Sequence, residues 1–155
     1  MIRLAKLTDY GIVLMTHMAR DHKRVLFNAR DLSHETRIPL PTVGRLLKGL
    51  NAASLLVSHR GAKGGYSLAR PSDQITVADV VAALEGPISL TECTERPMAC
   101  IHEMHCPVRF NWHLINDAIH GALSSVTLAD MARPLHRDAW LKQLSEGIHR
   151  KVPVS

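Results

Sequence analysis

Aromatic side chains are scarce in this chain of 155 residues, at 4%, with two each of Trp, Tyr and Phe. Its core must therefore come mainly from Leu, Val, Ile, Ala and Met. No apolar run approaches the roughly 18–20 residues that a helical membrane span needs, so no membrane association is expected. The start, Met1-Ile-Arg-Leu-Ala-Lys-Leu-Thr-Asp9, lacks a signal-peptide h-region with a cleavage site, and a cytoplasmic location is expected. Cysteines number only three. An odd count in a reducing compartment argues against a disulfide framework and for metal or redox chemistry. There is no nucleophile–base constellation, no phosphate loop following a strand and no carboxylate pair in a plausible cleft, so an enzyme is not expected. Internal repeats and low-complexity tracts are absent too.

What is present is ordinary in bulk and uneven in detail. Hydrophobic residues make up 46% and charged ones 21%, as in a globular protein of one domain or one and a half. Charge divides sharply along the chain. Residues 1–70 hold twelve Lys/Arg against four Asp/Glu, whereas residues 71–155 hold seven against ten. The first half alone is basic, as expected of a lobe that faces a polyanion, although a solubility surface reads the same way.

Periodicity and punctuation outline the elements. Thr8 is placed to N-cap a first helix carrying Tyr10, Val13, Leu14, His17 and Met18 at helical spacing. After a polar break, Asn28 or Ala29 opens a short helix with Ala29 and Leu32 inward. Ile38-Pro39-Leu40-Pro41 interrupts it, and Pro41 suits the first turn of the next helix. That helix buries Val43, Leu46, Leu47 and Leu50 and leaves Thr42, Gly44, Arg45 and Lys48 on its other face. Two short helices around a tight proline-bearing turn outline a helix-turn-helix. Leu55–Arg60 and Tyr66–Leu68 flank Gly61-Ala-Lys-Gly-Gly65 and predict a β-hairpin, which in this place is a wing. Thr76 and Asp79 form a capping box for a helix through Val77, Val80, Val81 and Leu84 that Gly86 ends. Pro87 to Pro107 reads as non-helical. Val108–Ser124 predicts a helix with Trp112, Ile115, Ile119, Ala122 and Leu123 along one stripe, read as a dimerisation helix or else as an intrachain core helix. A final turn covers Thr127–Ala132.

The expected fold is mainly α with a small β-hairpin wing: a winged helix-turn-helix followed by a C-terminal dimerisation helix. Residues 1–86 form the DNA-binding domain, 87–107 a cluster-binding loop, and 108–132 the dimerisation helix and a short C-terminal helix. Residues 133–155 form a weakly amphipathic tail without an assigned role.

All three cysteines fall in the non-helical stretch, as Cys93-x₆-Cys100-x₅-Cys106. A loop of about 20 residues is uncommon inside a compact domain and is usually functional. Three thiolates in one loop favour an iron–sulfur cluster, zinc or copper(I). The gaps are wider than the Cys-x₂₋₄-Cys pairs of structural zinc, which weakens a Cys₃His zinc site using His102 or His105 without excluding it. A metal-free thiol switch joining Cys100 and Cys106 is a further alternative.

A family resemblance covers about Met1 to Ala132. It rests on Leu7-Thr-Asp-Tyr10, Ile38-Pro-Leu-Pro-Thr-Val43, Arg60-Gly-Ala-Lys-Gly-Gly-Tyr66, the three cysteines and Thr127-Leu-Ala-Asp130, in that order. Together they resemble the IscR/NsrR-type winged-helix regulators (the Rrf-two family). Cys106-Pro-Val-Arg-Phe-Asn-Trp112 is most similar to the branch that regulates the SUF iron–sulfur assembly system. The resemblance implies a homodimer with one iron–sulfur cluster per subunit, [2Fe–2S] in preference to [4Fe–4S], bound to a near-palindromic operator in double-stranded DNA. It places Cys93, Cys100 and Cys106 at the three cysteine ligand positions. In the assembly-regulator branch a histidine three residues after the last cysteine is the fourth ligand. Arg109 stands there instead, and a protonated guanidinium cannot coordinate iron. In the nitric-oxide-sensing branch the fourth ligand is an aspartate of the partner's first helix. Asp9 matches that position, though a first-turn acid is also favoured by the helix dipole. His102, His105 and His113 read more simply as surface or packing residues.

The expected function is an iron–sulfur-dependent DNA-binding transcription regulator, a repressor of cluster-assembly genes. The alternatives are a nitric-oxide or redox-sensing repressor on the same scaffold and a zinc-stabilised DNA-binding protein. Thr42 and Arg45 are placed to face the major groove, with Arg45 suited to guanine, and Lys48, Arg60 and Lys63 suit the backbone or minor groove.

Overall fold

Thr8, Ile12, Met15 and Ala19 recur at helical spacing, and all lie buried along α1 (Lys6–Arg20) with Leu14, Thr16 and Met18. These positions come from a computed structural model that describes residues 3–61 and 63–133. The helix starts one turn earlier than the sequence indicates. Ala5 occupies the N-cap position without a side-chain cap, and Thr8 sits inside the helix, fully buried, its hydroxyl lacking a hydrogen-bond partner. A tertiary contact replaces the missing cap: the Ala5 amide donates to Glu85 Oε1 at 2.9 Å, at the end of α4 (Val77–Glu85). Val13, expected inward, is exposed because Ile12 and Met15 occupy the inner face.

α2 (Ala29–Thr36) opens where expected, with the Asn28 side chain accepting from the Asp31 amide at 2.9 Å. Arg37 closes it in the left-handed region (φ 58°). The Ser33 hydroxyl donates to the Ile38 carbonyl at 2.7 Å and holds the turn into α3 (Leu40–Ala52). Leu32, Val43, Leu46, Leu47 and Leu50 are all fully buried, so α2 and α3 dock on α1 through one apolar seam.

The hairpin pairs β1 (Leu56–His59) with β2 (Gly65–Leu68) in antiparallel register, Leu56 opposite Leu68 and His59 opposite Gly65. A third segment joins it. Phe27 and Tyr66 exchange backbone hydrogen bonds of 2.9 and 2.8 Å, which ties the wing to the entry of α2. A Cβ on Gly65 would stand 2.7 Å from the Phe27 carbonyl oxygen, so this glycine is set by a close backbone approach rather than by positive φ. Positive φ is used at Gly61 (119°), where the tip turns.

α5 (Glu92–Glu95) and a 3₁₀ turn at Glu103–His105 interrupt the stretch expected to be irregular. α6 (Arg109–Ser124) follows, and α7 (Leu128–Ala132) returns the chain to α1. Two capping boxes meet at this return: Thr76 with Asp79 and Thr127 with Asp130. Backbone bonds from Val77 N to Val126 O (2.9 Å) and from Leu128 N to Ile75 O (2.8 Å) join them. Leu128 is fully buried, and Arg20 donates to the Met131 and Ala132 carbonyls at 3.3 Å. Apart from Arg133, the tail assigned to residues 133–155 lies outside the described residues. No described helix is long and apolar enough to cross a membrane.

Two predictions concern these tethers. Thr127→Ala removes a cap and should destabilise the protein by about 0.5–2 kcal/mol in denaturant unfolding, with Thr127→Ser close to wild type. Unchanged stability in the alanine variant would remove the junction from any structural role. Glu35 bridges α1 and α2: His17 donates to it at 2.8 Å and Arg24 at 3.0 and 3.1 Å. The His17 hydrogen bond and then Arg24 hold its carboxyl below the ordinary 4.5, against the opposing effect of burial. A lowered folded value means stability present above pH 4.5 and lost as pH falls through the folded value. Glu35→Gln should lower the thermal midpoint at neutral pH and flatten its fall on acidification. Parallel acid limbs for the two proteins would contradict this.

Candidate nucleic-acid interface and cysteine segment

Burying Val43, Leu46, Leu47 and Leu50 forces the other face of α3 outward. On it Arg45 and Lys48 are exposed and Thr42 is half-buried. The wing supplies Arg60 at its base and Lys63 at its tip, both exposed. Among the described residues none of these four cations makes an ion pair, whereas Arg24, Arg70 and Arg109 each pair with an acid. A face of unpaired cations offers its full charge to a phosphate backbone. Gly44 lies between Thr42 and Arg45, and a Cβ there would meet nothing within 4 Å. The surface at this point is open to close approach.

Arg30 and Arg37 belong to the same basic lobe and were not singled out from the sequence. Both are exposed and neither is paired among the described residues. The charge of residues 1–70 counts them, but only the left-handed turn at Arg37 shows how it leaves α2.

The cysteine segment hangs between α4 and α6. Asn116 of α6 holds its start: the Asn116 Oδ1 accepts from the Leu90 amide, and its Nδ2 donates to the Ile88 carbonyl, both at 3.1 Å. Cys93 is buried in α5, its Sγ 3.2 Å from Thr91 Oγ1. Cys100 and Cys106 are half-buried, and all three thiols are free. From Cys100 onward the backbone climbs in three-residue steps: Glu103 N to Cys100 O (3.1 Å), Cys106 N to Glu103 O (3.4 Å) and Arg109 N to Cys106 O (3.4 Å).

Glu103 is the residue that sequence reading missed. It is 2% exposed. Its Oε2 accepts from the Met98 amide at 2.7 Å, and its Oε1 lies 3.0 Å from Arg109 Nη2. That pair is in ionic contact, yet its alignment falls short of a hydrogen bond, so Glu103 Oε1 and the buried Arg109 Nε both lack hydrogen-bond partners. A carboxylate in a loop ordinarily reads as solvated. The available signal was its place midway in Cys100-x₂-Glu103-x₂-Cys106, with an arginine three residues further on.

By donor chemistry the segment fits a soft metal or a cluster: three free thiols and an orphaned buried carboxylate oxygen within fourteen residues. Among the described residues no three His, Cys, Asp or Glu side chains converge on one metal ion, so a mononuclear site would require the segment to rearrange. Asp9 is exposed on α1 and shares no hydrogen bond or ion pair with the cysteine segment among the described residues. His102 and His105 are exposed, and His113 is half-buried.

The expected stripe on α6 is displaced. Ile119 and Leu123 face the rest of the chain with His113 and Asn116, and Leu123 packs on the core. Phe110 (80% exposed), Leu114 (72%), Trp112 and Ile115 face outward, and Met98, Ile101 and Met104 of the cysteine segment are exposed as well.

Comparison with known proteins places this geometry. Residues 4–134 match the Rrf2 family, described as iron-dependent transcriptional regulators. The HTH-type transcriptional regulator CymR of Bacillus subtilis is 32% identical over 123 residues, 79% of this chain and 84% of the relative. The HTH-type transcriptional regulator IscR of Photobacterium profundum is 28% identical over 132 residues, 85% of this chain and 76% of the relative. The solved structure of B. subtilis CymR, described as that organism's global cysteine regulator, superposes with a TM-score of 0.67 at 30% identity, covering 85% of this chain and 97% of the other. These relatives are transcriptional regulators rather than enzymes, and the helical lobe with its two-stranded hairpin is their winged-helix fold. With its basic recognition face and winged helix-turn-helix, this chain belongs to the Rrf2 family of DNA-binding transcriptional regulators.

Proposed function

We propose that this regulator is a homodimeric repressor of iron–sulfur assembly genes. It reads a near-palindromic operator through α3 and the wing, under the control of an iron–sulfur cluster held by Cys93, Cys100 and Cys106, one per subunit. The observation that carries the reading is three free thiols on a segment tied to the DNA-binding lobe through α4 and to α6 through Asn116. The family's iron dependence supports it. When bound, the cluster supplies a group whose presence, oxidation state or nuclearity varies with iron and oxidant supply, [2Fe–2S] being the form preferred. The outward apolar face of α6 suits a dimer contact. Such a contact would set the distance between two recognition helices, which half-sites about 34–36 Å apart demand closely. The fourth ligand is not a thiolate. The family resemblance offers Asp9 across the dimer, and its exposure leaves it free to reach a partner.

A second reading is a nitric-oxide or redox sensor on the same scaffold, favoured by the partial exposure of Cys100 and Cys106. A zinc-stabilised protein has least support, since the gaps of six and five residues between the cysteines are wider than the Cys-x₂₋₄-Cys pairs of structural zinc. Anaerobic purification separates these. Brown protein with about two or four irons per chain supports the cluster; colourless protein with one zinc, or with neither metal, sinks it. With the cluster in place, operator affinity of holo and apo protein at fixed salt should differ at least tenfold, and equal affinities would refute cluster control.

On the DNA side, Arg45 is placed to pair with a guanine edge and Thr42 with a neighbouring base, while Lys48, Arg60 and Lys63 meet backbone or minor groove. Arg45→Ala should weaken operator binding by about 1–3 kcal/mol and relax one base position, whereas Lys63→Ala should weaken all sequences alike. Equal losses on operator and random DNA for Arg45→Ala would remove its base-reading role.

A further inference from the structure

α3 carries a glycine that the protein's own packing does not explain. Inside a helix, glycine is costly relative to alanine and is expected where a side chain would collide. Gly11 of α1 meets that condition, since a Cβ there would run into Leu84 Cδ1. Gly44 does not. Its φ is not positive, and a Cβ would meet nothing within 4 Å. Alanine would fit the chain and favour the helix, so the space at Gly44 serves something outside the chain. Among the described helical glycines only Gly121 is as open, and it is exposed on α6, the helix offered above to a second copy.

The surroundings of Gly44 narrow what that visitor is. Leu40 stands four residues earlier, one turn away on the same side of α3, and is 42% exposed. Pro39 and Pro41 on either side of it are exposed too. The start of the recognition helix is therefore an exposed apolar wall with a gap beside it. Arg45 and Lys48 follow on the same outward face, and they draw a polyanion to it. A phosphate gains nothing from Leu40, Pro41 and bare backbone, and neither does a polar base edge. The major groove displays one apolar group, the C5 methyl of thymine.

We propose that Leu40, Pro41 and Gly44 form a notch that takes the C5 methyl of one operator thymine. This rests on the reading above of α3 as the helix that enters the major groove. Consecutive Cα atoms are about 3.8 Å apart and stacked bases about 3.4 Å, so a methyl at Gly44 belongs to a base pair next to the guanine of Arg45. Glycine is required at the floor of the notch because any Cβ would occupy the place of the methyl. Leu40 supplies the wall that removes the methyl from water. Burying one methyl in this way is worth about fourfold in affinity for each half-site.

The test selects an operator from random duplexes with the purified full chain, then replaces each thymine in turn by deoxyuridine, which removes only the methyl. Wild type should lose about fourfold affinity per half-site at one thymine, in a base pair adjoining the position that Arg45→Ala relaxes. Gly44→Ala should melt no lower than wild type, bind the thymine operator at least fourfold more weakly per half-site, and show no penalty for deoxyuridine. Leu40→Ala should shrink the penalty without reversing it. A deoxyuridine scan with no loss at either adjoining pair overturns the proposal. So does a Gly44→Ala protein with the wild-type affinity and the wild-type penalty. If Gly44→Ala melts below wild type, Leu40→Ala decides, and an undiminished penalty overturns the notch. Should no selected sequence outbind random DNA, the major-groove reading of α3 falls instead, an outcome distinguishable from the loss of the notch alone.

Discussion

Everything between Gly86 and Val126 is an excursion from the DNA-reading lobe, and the excursion is closed at its base by two backbone hydrogen bonds. Ile75 O accepts from Leu128 N, and Val126 O accepts from Val77 N. Each bond lies beside a helix N-terminus whose first amides are satisfied by a Thr/Asp capping box. The Asp130 carboxyl is held below its ordinary value by hydrogen bonds from Thr127, so it stays ionised and a full acceptor at neutral pH. Because α7 docks on α1 through Leu128 and through Arg20, the far end of α6 is pinned to the helix that carries the recognition unit. The near end of α6 begins at Arg109, directly after the cysteine segment and in ionic contact with its Glu103. A change in that segment thus acts on one end of a 16-residue helix while the other end is fixed to the reading lobe. Under the proposed cluster control, this arrangement would let a loop with no direct hold on α3 bear on DNA binding.

The reading lobe is the rigid partner in that coupling. Its seam of Leu14, Met15, Leu32, Val43, Leu46, Leu47 and Leu50 is apolar and fully buried, so α3 cannot shift independently of α1 and α2. The wing is held just as firmly, by Phe27 acting as a third strand segment against Tyr66. Two reading elements on one rigid body present cations that are unpaired among the described residues at a fixed spacing.

Much of this was legible in the sequence. Apolar spacing located six helices and the hairpin, since burial at 3.6-residue and two-residue periods leaves a direct trace. Asn28 and Thr76 announced their helices because capping chemistry is local, whereas the box of Thr127 with Asp130 was read only as part of a final turn. Contacts between distant residues left no such trace. The start of α1 depends on Glu85, far along the chain, and so Thr8 was misplaced as a cap. Gly65 looked like turn chemistry and is instead a clearance for the Phe27 carbonyl. On α6 an apolar stripe was evident but its outward face was not, because Phe110 and Leu114 reveal their exposure only once Asn116 has fixed the helix rotation against Ile88 and Leu90. Arg109 was recognised as a residue that cannot ligate iron, yet its partner was invisible, since the burial of Glu103 follows from the fold of the whole segment.

The energetic contrast between the two halves fits the proposal that sensing sits in the cysteine segment. Among the described residues nineteen buried apolar ones form the core around α1, and none of them lies between Gly86 and Val126. The segment from Pro87 to Pro107 is held by short i to i+3 links, by Asn116 and by one imperfect ion pair. Regions with few buried apolar contacts open at a fraction of the global unfolding free energy. Binding there can reorganise the segment without disturbing the core, whereas the same rearrangement inside the α1–α3 seam would unfold the reader. A buried carboxylate that is only partly satisfied lowers the stability of this one arrangement further. The segment is therefore the part of the molecule where a modest binding energy changes structure most, and the closed base at Thr76 and Thr127 carries that change to the DNA-binding lobe.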